Sequence, residues 1–320
     1  MGFPNSKNII AASRAALSRA RYSPTRLAFY YIGLPTALNL LLMVVSHVLS
    51  QQDAGSGGLS GLGTQAALES TDLLLRLALS VFTMFWQMGY IRAVLRWARG
   101  EDAAPADLFE GLRNFGPVLR SFLLQGVLVF VIAMVAVQLS AIVYIVSPLS
   151  ESFAAVVEQM MADPTYVPDS AFIMNFYLSY GPFLLLAVAI LGLPVAYRLR
   201  LVEFALMDTP REGAFYALRM SLALMRGNCV KLFKLDLRFW WFYALQGLTS
   251  VIFYLDLILE LLGVQTGIDG NVLFYLCSIL GLLAQLLLLT FGANRIYTAY
   301  AVVYETLKPK EEQPPQQMQY

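Results

Sequence analysis

Apolar residues run in long blocks along this chain, and polar residues collect in short segments between them. A helix needs about 20 apolar residues to cross the hydrocarbon core of a bilayer. Six blocks reach that length, over residues 27–49, 73–95, 118–146, 172–197, 233–259 and 272–300. The pattern predicts an all-α polytopic membrane protein with six transmembrane helices within residues 27–307. A basic segment precedes them over 1–26, and a disordered tail is expected over 308–320. Pro35, Pro182 and Pro194 fall inside spans, where neighbouring helices can satisfy the freed carbonyls.

The stretch "LRMSLALMRGN", residues 218–228, sets Arg219 and Arg226 seven apart in an otherwise apolar surrounding. That spacing is two helical turns, which puts both on one line of a helix. Thr209 as cap, Pro210 at the first helical position and Glu212 as partner of a capping box mark its start. Phe215, Leu218, Leu222 and Met225 spread over the rest, and Gly227 with Asn228 marks its end. A wide apolar arc with a thin cationic edge belongs at a membrane interface, its arginines level with lipid phosphates.

This pattern recurs. Arg113 and Arg120 are also seven apart, although Gly116 and Pro117 interrupt them, and so are Arg19 and Arg26 before the first span. The offset from Arg113 to Arg219 also carries Phe109 to Phe215, Leu112 to Leu218 and Arg92 to Arg198. Three return spans end in "GYIRAVLRW", "AYRLRLVEF" and "ANRIYTAYA", with Arg92, Arg198 and Arg295 at the same place in each. The expected unit is a cytoplasmic amphipathic helix, an outgoing span, an acidic outer loop and a return span. Three copies predict three pseudo-repeated helical hairpins about an axis along the membrane normal.

Charge orients the spans. Segments 50–72, 147–171 and 260–271 contain no Lys or Arg, while the other connections hold nearly all the cations. The positive-inside rule places both termini in the cytoplasm. Residues 1–26 lack the apolar core of a cleavable signal, so the first block is expected to remain as an anchor. Gly2 and Ser6 fit a myristoylation pattern that arises easily by chance. Residues 54–63 read as a flexible linker, and 151–161 as a short helix on the outer interface.

Composition agrees: 58% hydrophobic, 13% charged and a mean hydropathy of +0.63 lie away from soluble domains. The net charge of +1 hides strong segregation along the chain and says nothing about nucleic acid; no recurrent basic–aromatic module is present, and no nucleic-acid partner is expected. Cys229 and Cys277 lie far apart without metal-ligand spacing, so apolar packing is expected of both and neither a metal site nor a cofactor is.

The segment "ALRMSLALMRGNCVKLFKLDLRFWW" from Ala217 resembles the hallmark of a family of bacterial six-span membrane proteins with no assigned function. Ser221, Met225, Gly227, Phe233, Leu235, Leu237, Phe239 and Trp241 carry the resemblance. The ending "IYTAYAVVYETL" is similar to that family's closing helix through Tyr297, Tyr300, Ala301, Tyr304 and Leu307. The family's glycine-rich stretch after the fifth span is usually shorter than the corresponding "TSVIFYLDLILELLGVQTG". The resemblance covers about the last third of the chain. It implies a six-span fold and a bacterial plasma membrane, with no catalytic residue to carry over.

Candidate chemistry is sparse. His47, the only histidine, suits a half-wet helix end. Asn39, Gln87, Asn175, Gln246 and Gln285 lie inside spans, where helix–helix hydrogen bonding accounts for them. Asp72 precedes Arg76 by one turn and should pair with it, and Asp236 should pair with Lys234 or Arg238 at the inner surface. No mid-span carboxylate of the kind a proton-coupled transporter uses stands out. The candidate anion or lipid-headgroup residues are Arg92, Arg198 and Arg295, with Arg113, Arg219 and Arg226. Converging guanidinium groups would hold a phosphorylated headgroup through paired hydrogen bonds, whereas independent arginines would simply snorkel to lipid phosphate. With no phosphate loop, metal cluster or paired carboxylates, enzymatic activity is not expected. The leading expectation is a binding or scaffold protein engaging anionic lipid, a partner membrane protein or a second copy of itself. The alternative is a small-solute transporter or export accessory with a cavity between the hairpins.

Overall fold

The structure, a computed structural model, describes residues 3–53, 59–163, 166–255, 258–259 and 270–309. Among the described residues every regular element is helical. The first third comprises α1 (Ser6–Arg19), α2 (Pro24–Asp53) and α3 (Leu59–Ala98). A 3-10 turn (Pro105–Phe109) then leads through α4 (Glu110–Arg113) into α5 (Phe115–Val146). Next come α6 (Glu151–Ala162), α7 (Ser170–Leu199), α8 (Val202–Asp208) and α9 (Gly213–Met225). The chain ends through α10 (Cys229–Asp236), α11 (Trp240–Phe253) and α12 (Gly270–Leu307).

Among the described residues, five helical segments are long and apolar enough to cross a membrane: Pro24–Ser46, Ser70–Ala98, Phe115–Val146, Phe172–Asp208 and Val272–Leu307. The block expected over 233–259 departs from this form. A 3-10 turn at Leu237–Phe239 separates α10 from α11, and part of the block lies outside the described residues. Lys234, Asp236 and Arg238 alternate through its beginning, so the uninterrupted apolar run starts only at Phe239. The expected linker over 54–63 is corrected in its second half, because α3 already begins at Leu59. Leu59 and Leu62 are good helix formers among the glycines there. Residues 54–58, the tail beyond residue 309 and the His47 side chain lie outside the described residues.

The seven-residue arginine pairs do not lie on single helices. Arg19 ends α1 while Arg26 belongs to α2; Arg113 ends α4 while Arg120 belongs to α5. Arg226 is the extended residue just beyond α9, followed by Gly227 at φ +75°. Each pair straddles a chain break, which spacing alone cannot reveal. The expected capping box at Thr209 is also absent. Pro210–Glu212 forms a 3-10 turn, the Thr209 hydroxyl donates back to the Ala205 carbonyl, and α9 starts at Gly213 with φ +83°.

Consecutive long helices pair: α2 with α3, α5 with α7, and α11 with α12. Packing among the pairs is uneven. α12 lies against α1, α2, α3 and α11, whereas α7 reaches the rest mainly through α9 and α10. The buried core gathers at one end, where α3 contributes Tyr90 and Trp97, α8 contributes Phe204, and α12 contributes Tyr300 and Tyr304. Ile9 of α1 and Leu27 of α2 close it. Leu73, Phe130, Leu178 and Leu185 on the remaining lengths are exposed, as side chains meeting lipid tails are. α9 buries Ala214, Ala217, Ser221, Leu224 and Met225 against its neighbours and turns Phe215, Leu222 and Arg219 outward.

Ion pairs lock the helix ends beside this core. Arg99, just after α3, bonds Asp208 of α8 and Glu305 of α12, and Lys308 reaches Asp208 at 2.6 Å. The Tyr304 hydroxyl also donates to Asp208. Burial works to lower the pKa of Arg99, but its hydrogen bonds to Glu305 and Asp208 outweigh burial and raise it above the ordinary arginine value.

Candidate functional site

The recurring arginines have different surroundings. Arg92 is half-buried and donates from Nη1 to the Met207 carbonyl at 3.0 Å. Arg198 is exposed, and its carbonyl accepts the Ser221 hydroxyl at 2.7 Å. Arg295 is exposed and borders a groove of about 680 Å³ together with Arg14 of α1. Of the remaining candidates, Arg113 pairs with Glu110 at 2.7 Å, while Arg219 and Arg226 are exposed.

The Arg14–Arg295 groove combines charge with grease. Ser18 and Thr25 lie beside the two arginines, and Trp241, Leu287, Leu288 and Phe291 supply apolar lining. Neither arginine forms an ion pair among the described residues. A second groove, about 450 Å³, shares Thr25, Leu287 and Phe291 and adds Arg26 and Tyr30. Three cations thus surround one apolar ridge of α12. Gly292 permits the tight packing here, since a Cβ on it would lie 2.3 Å from the Phe242 ring.

A second polar cluster forms where α7 breaks into α8, from residues too far apart in sequence to be read together. Arg200, at the break, donates from Nη2 to the Tyr300 hydroxyl at 2.9 Å, and its guanidinium lies 4.7 Å from that ring's centroid. The Tyr300 hydroxyl donates to Asp236 at 2.5 Å, and Tyr197 donates to the other Asp236 oxygen at 2.7 Å. Asp236 is therefore held by tyrosines from two other helices, and the expected partners Lys234 and Arg238 do not ion-pair with it among the described residues. Glu203, one helical turn from Arg200, accepts from Gln87 of α3 at 3.1 Å. The span residue Gln87 thus does bond between helices, and its partner is a half-buried carboxylate. The pair expected between Asp72 and Arg76 is present at 2.5 Å.

Arg200 borders two cavities. One, about 230 Å³, meets Gln87, Gln125, Glu203, Tyr297 and Tyr300 between α3, α5, α8 and α12. The other, about 420 Å³, has Arg200, Asp236, Tyr197 and Tyr243 at its polar side and Leu193, Phe233, Leu237 and Trp240 around them. A guanidinium carries five N–H donors, so the bonds of Arg200 to the Tyr300 and Tyr243 hydroxyls leave capacity for an oxyanion. The available signals were weak: Arg198 and Arg200 alternate in "YRLRLVEF", and Tyr297 and Tyr300 recur at helical spacing in "RIYTAYA".

An all-helical chain with several span-length apolar helices is the class that this fold defines. The chain belongs to the DUF975 family, a protein of unknown function, whose sequence profile matches residues 5–310. The resemblance noted over the last third therefore extends across nearly the whole chain. Comparison with the curated proteins and with the solved structures gave no match.

Proposed function

We propose that this protein is a non-enzymatic binding protein of the bacterial plasma membrane that engages anionic lipid at its cytoplasmic face. In this reading six spans cross the bilayer with both termini inside. One observation carries it: Arg14 and Arg295, free of ion pairs among the described residues, flank one groove with an apolar lining. Arginine offers a planar fork that matches a phosphate, and the exposed Leu287 and Phe291 offer a surface for an acyl chain. Each charged hydrogen bond contributes about 1.5–3 kcal/mol, or roughly ten- to a hundredfold in affinity.

The test is native mass spectrometry of the purified protein with short-chain phosphatidylglycerol and phosphatidylcholine. Phosphatidylglycerol should bind more tightly, and Arg14→Gln or Arg295→Gln should each remove most of that preference. The double variant should add little, because two residues on one ligand do not act additively. Equal binding of the two lipids, or additive small losses that Lys replacements restore, would leave ordinary interfacial arginines instead. The alternative, a small-solute transporter, is favoured by the polar cavity around Gln87, Gln125 and Glu203. Solute flux into proteoliposomes that Glu203→Gln abolishes would select it.

A further inference from the structure

The cavity on the α10–α11 side of Arg200 carries both signs of charge in one place. Arg200 and Asp236 do not form an ion pair among the described residues; the Tyr300 hydroxyl stands between them, 2.9 Å from one and 2.5 Å from the other. Asp236 is buried while Arg200 is exposed, and a buried charge is costly unless compensated. Here the compensation is indirect, so the arginine keeps unused donors and the carboxylate keeps unused lone pairs toward the cavity.

The surroundings are apolar and open. Leu193, Leu237 and Trp240 are 52%, 53% and 66% exposed, and all three border the cavity together with Arg200 and Asp236. A ligand matching this arrangement has an oxyanion, a nearby cation and a hydrocarbon part. A purely anionic headgroup would satisfy Arg200 but bring nothing cationic to Asp236. A free zwitterion would leave the apolar rim uncovered.

We propose that this cavity binds an aminophospholipid, with the headgroup phosphate on Arg200, the ammonium at Asp236 beside Tyr243, and the acyl chains across Leu193, Leu237 and Trp240. The ethylene link of a phosphoethanolamine headgroup keeps its two charges close, as the cavity's own charges are. Tyr197 and Tyr300 hold the carboxylate in place, each through a different oxygen. This site is separate from the Arg14–Arg295 groove, and no residue lines both.

The full-length protein, purified in detergent, should be titrated with short-chain phosphatidylethanolamine and phosphatidylglycerol under native mass spectrometry. The site should prefer phosphatidylethanolamine, and Arg200→Gln should weaken it about tenfold or more, the value of a charged hydrogen bond. Asp236→Asn should bring the two lipids to equal affinity at this site. Should that variant fail to fold, Leu193→Trp fills the rim from an exposed position and should block binding with the polar cluster intact. Free O-phosphoethanolamine should bind at least about tenfold more weakly than the lipid, since it lacks the apolar burial. In the Arg14→Gln, Arg295→Gln background, which lacks the other groove's arginines, the preference for phosphatidylethanolamine should persist and still depend on Arg200, which separates this site from the anionic-lipid reading. Binding that Leu193→Trp leaves intact, equal affinity for free phosphoethanolamine, or phosphatidylglycerol bound as tightly by the double variant would each overturn the proposal.

Discussion

Gly89→Ala should be among the most damaging small substitutions in this protein. A Cβ at Gly89 would lie 2.0 Å from the Leu108 carbonyl oxygen, and one at Gly111 would lie 1.9 Å from that of Phe85. The two glycines thus let α3 and the segment before α5 approach backbone to backbone, once in each direction. Ordinary contact begins at 3.4 Å, so either methyl must push the segments apart by more than about 1 Å. Phe85, Met88 and Leu108 around this contact are all buried, and a carbonyl in a helical turn cannot rotate away as a side chain can.

Overpacking a well-filled core costs about 1–3 kcal/mol, and a backbone clash belongs at the upper end. At roughly 2–4 °C per kcal/mol for a larger domain, the melting temperature should fall by about 6–12 °C. Trp86 reports on this contact, because its ring meets Phe109 edge-on at 5.2 Å. Tryptophan fluorescence during thermal unfolding in detergent is therefore a suitable assay. Gly126→Ala is the control: its Cβ would meet nothing within 4 Å, and in a helix interior alanine gains about 0.5–1 kcal/mol over glycine. If Gly89→Ala and Gly126→Ala melt together, the close approach between α3 and the segment before α5 is refuted.

Asp208→Asn should destabilise the protein by about 2–3 kcal/mol in thermal or urea unfolding, between the values for exposed and buried pairs. The carboxylate, 5% exposed, is shared by Arg99 and Lys308, and an unchanged melting point would show that the cluster contributes nothing. Arg92→Gln should lower stability by about 1–2 kcal/mol through the lost bond to the Met207 carbonyl, with lipid affinity unchanged. A lipid-binding loss equal to that of Arg295→Gln would instead restore a site shared by the recurring arginines. Cysteines introduced at Ser56 and Ala162 should react with an impermeant thiol reagent from outside, and one at Gln316 should not. The reverse pattern would defeat the proposed orientation.

Helices were legible in this sequence wherever a long apolar run carried no more than a single charge near its start. The runs beginning near Leu27 and Val118 became α2 and α5, each extended by only a few residues at its start. The run from Phe233 misled about where its uninterrupted helix begins, because its strongly apolar remainder outweighs Lys234, Asp236 and Arg238 in any average, while the backbone answers to each residue in turn. The arginine pairs misled differently. A spacing of seven is helical only if no break intervenes, and here the breaks fall between the members of each pair.

What could not be read locally is the company each charge keeps. Tyr300 meets Asp236 across 64 positions and Arg200 across 100, so no window of sequence contains the cluster. Arg92, Arg198 and Arg295 recur in the sequence, yet they lie 6, 1 and 12 residues before the ends of α3 (Ala98), α7 (Leu199) and α12 (Leu307). A recurring sequence position does not impose a shared partner. Arg92 is half-buried against the Met207 carbonyl, whereas Arg295 is exposed beside Arg14, because α1 packs against α12. Arg200, two residues past the recurring Arg198, falls in the break before α8 and is thereby directed among Tyr300, Tyr243 and Asp236. Recurrence along the sequence thus does not settle availability, and the unequal packing of the helix pairs decides which of these cations remain open to bind.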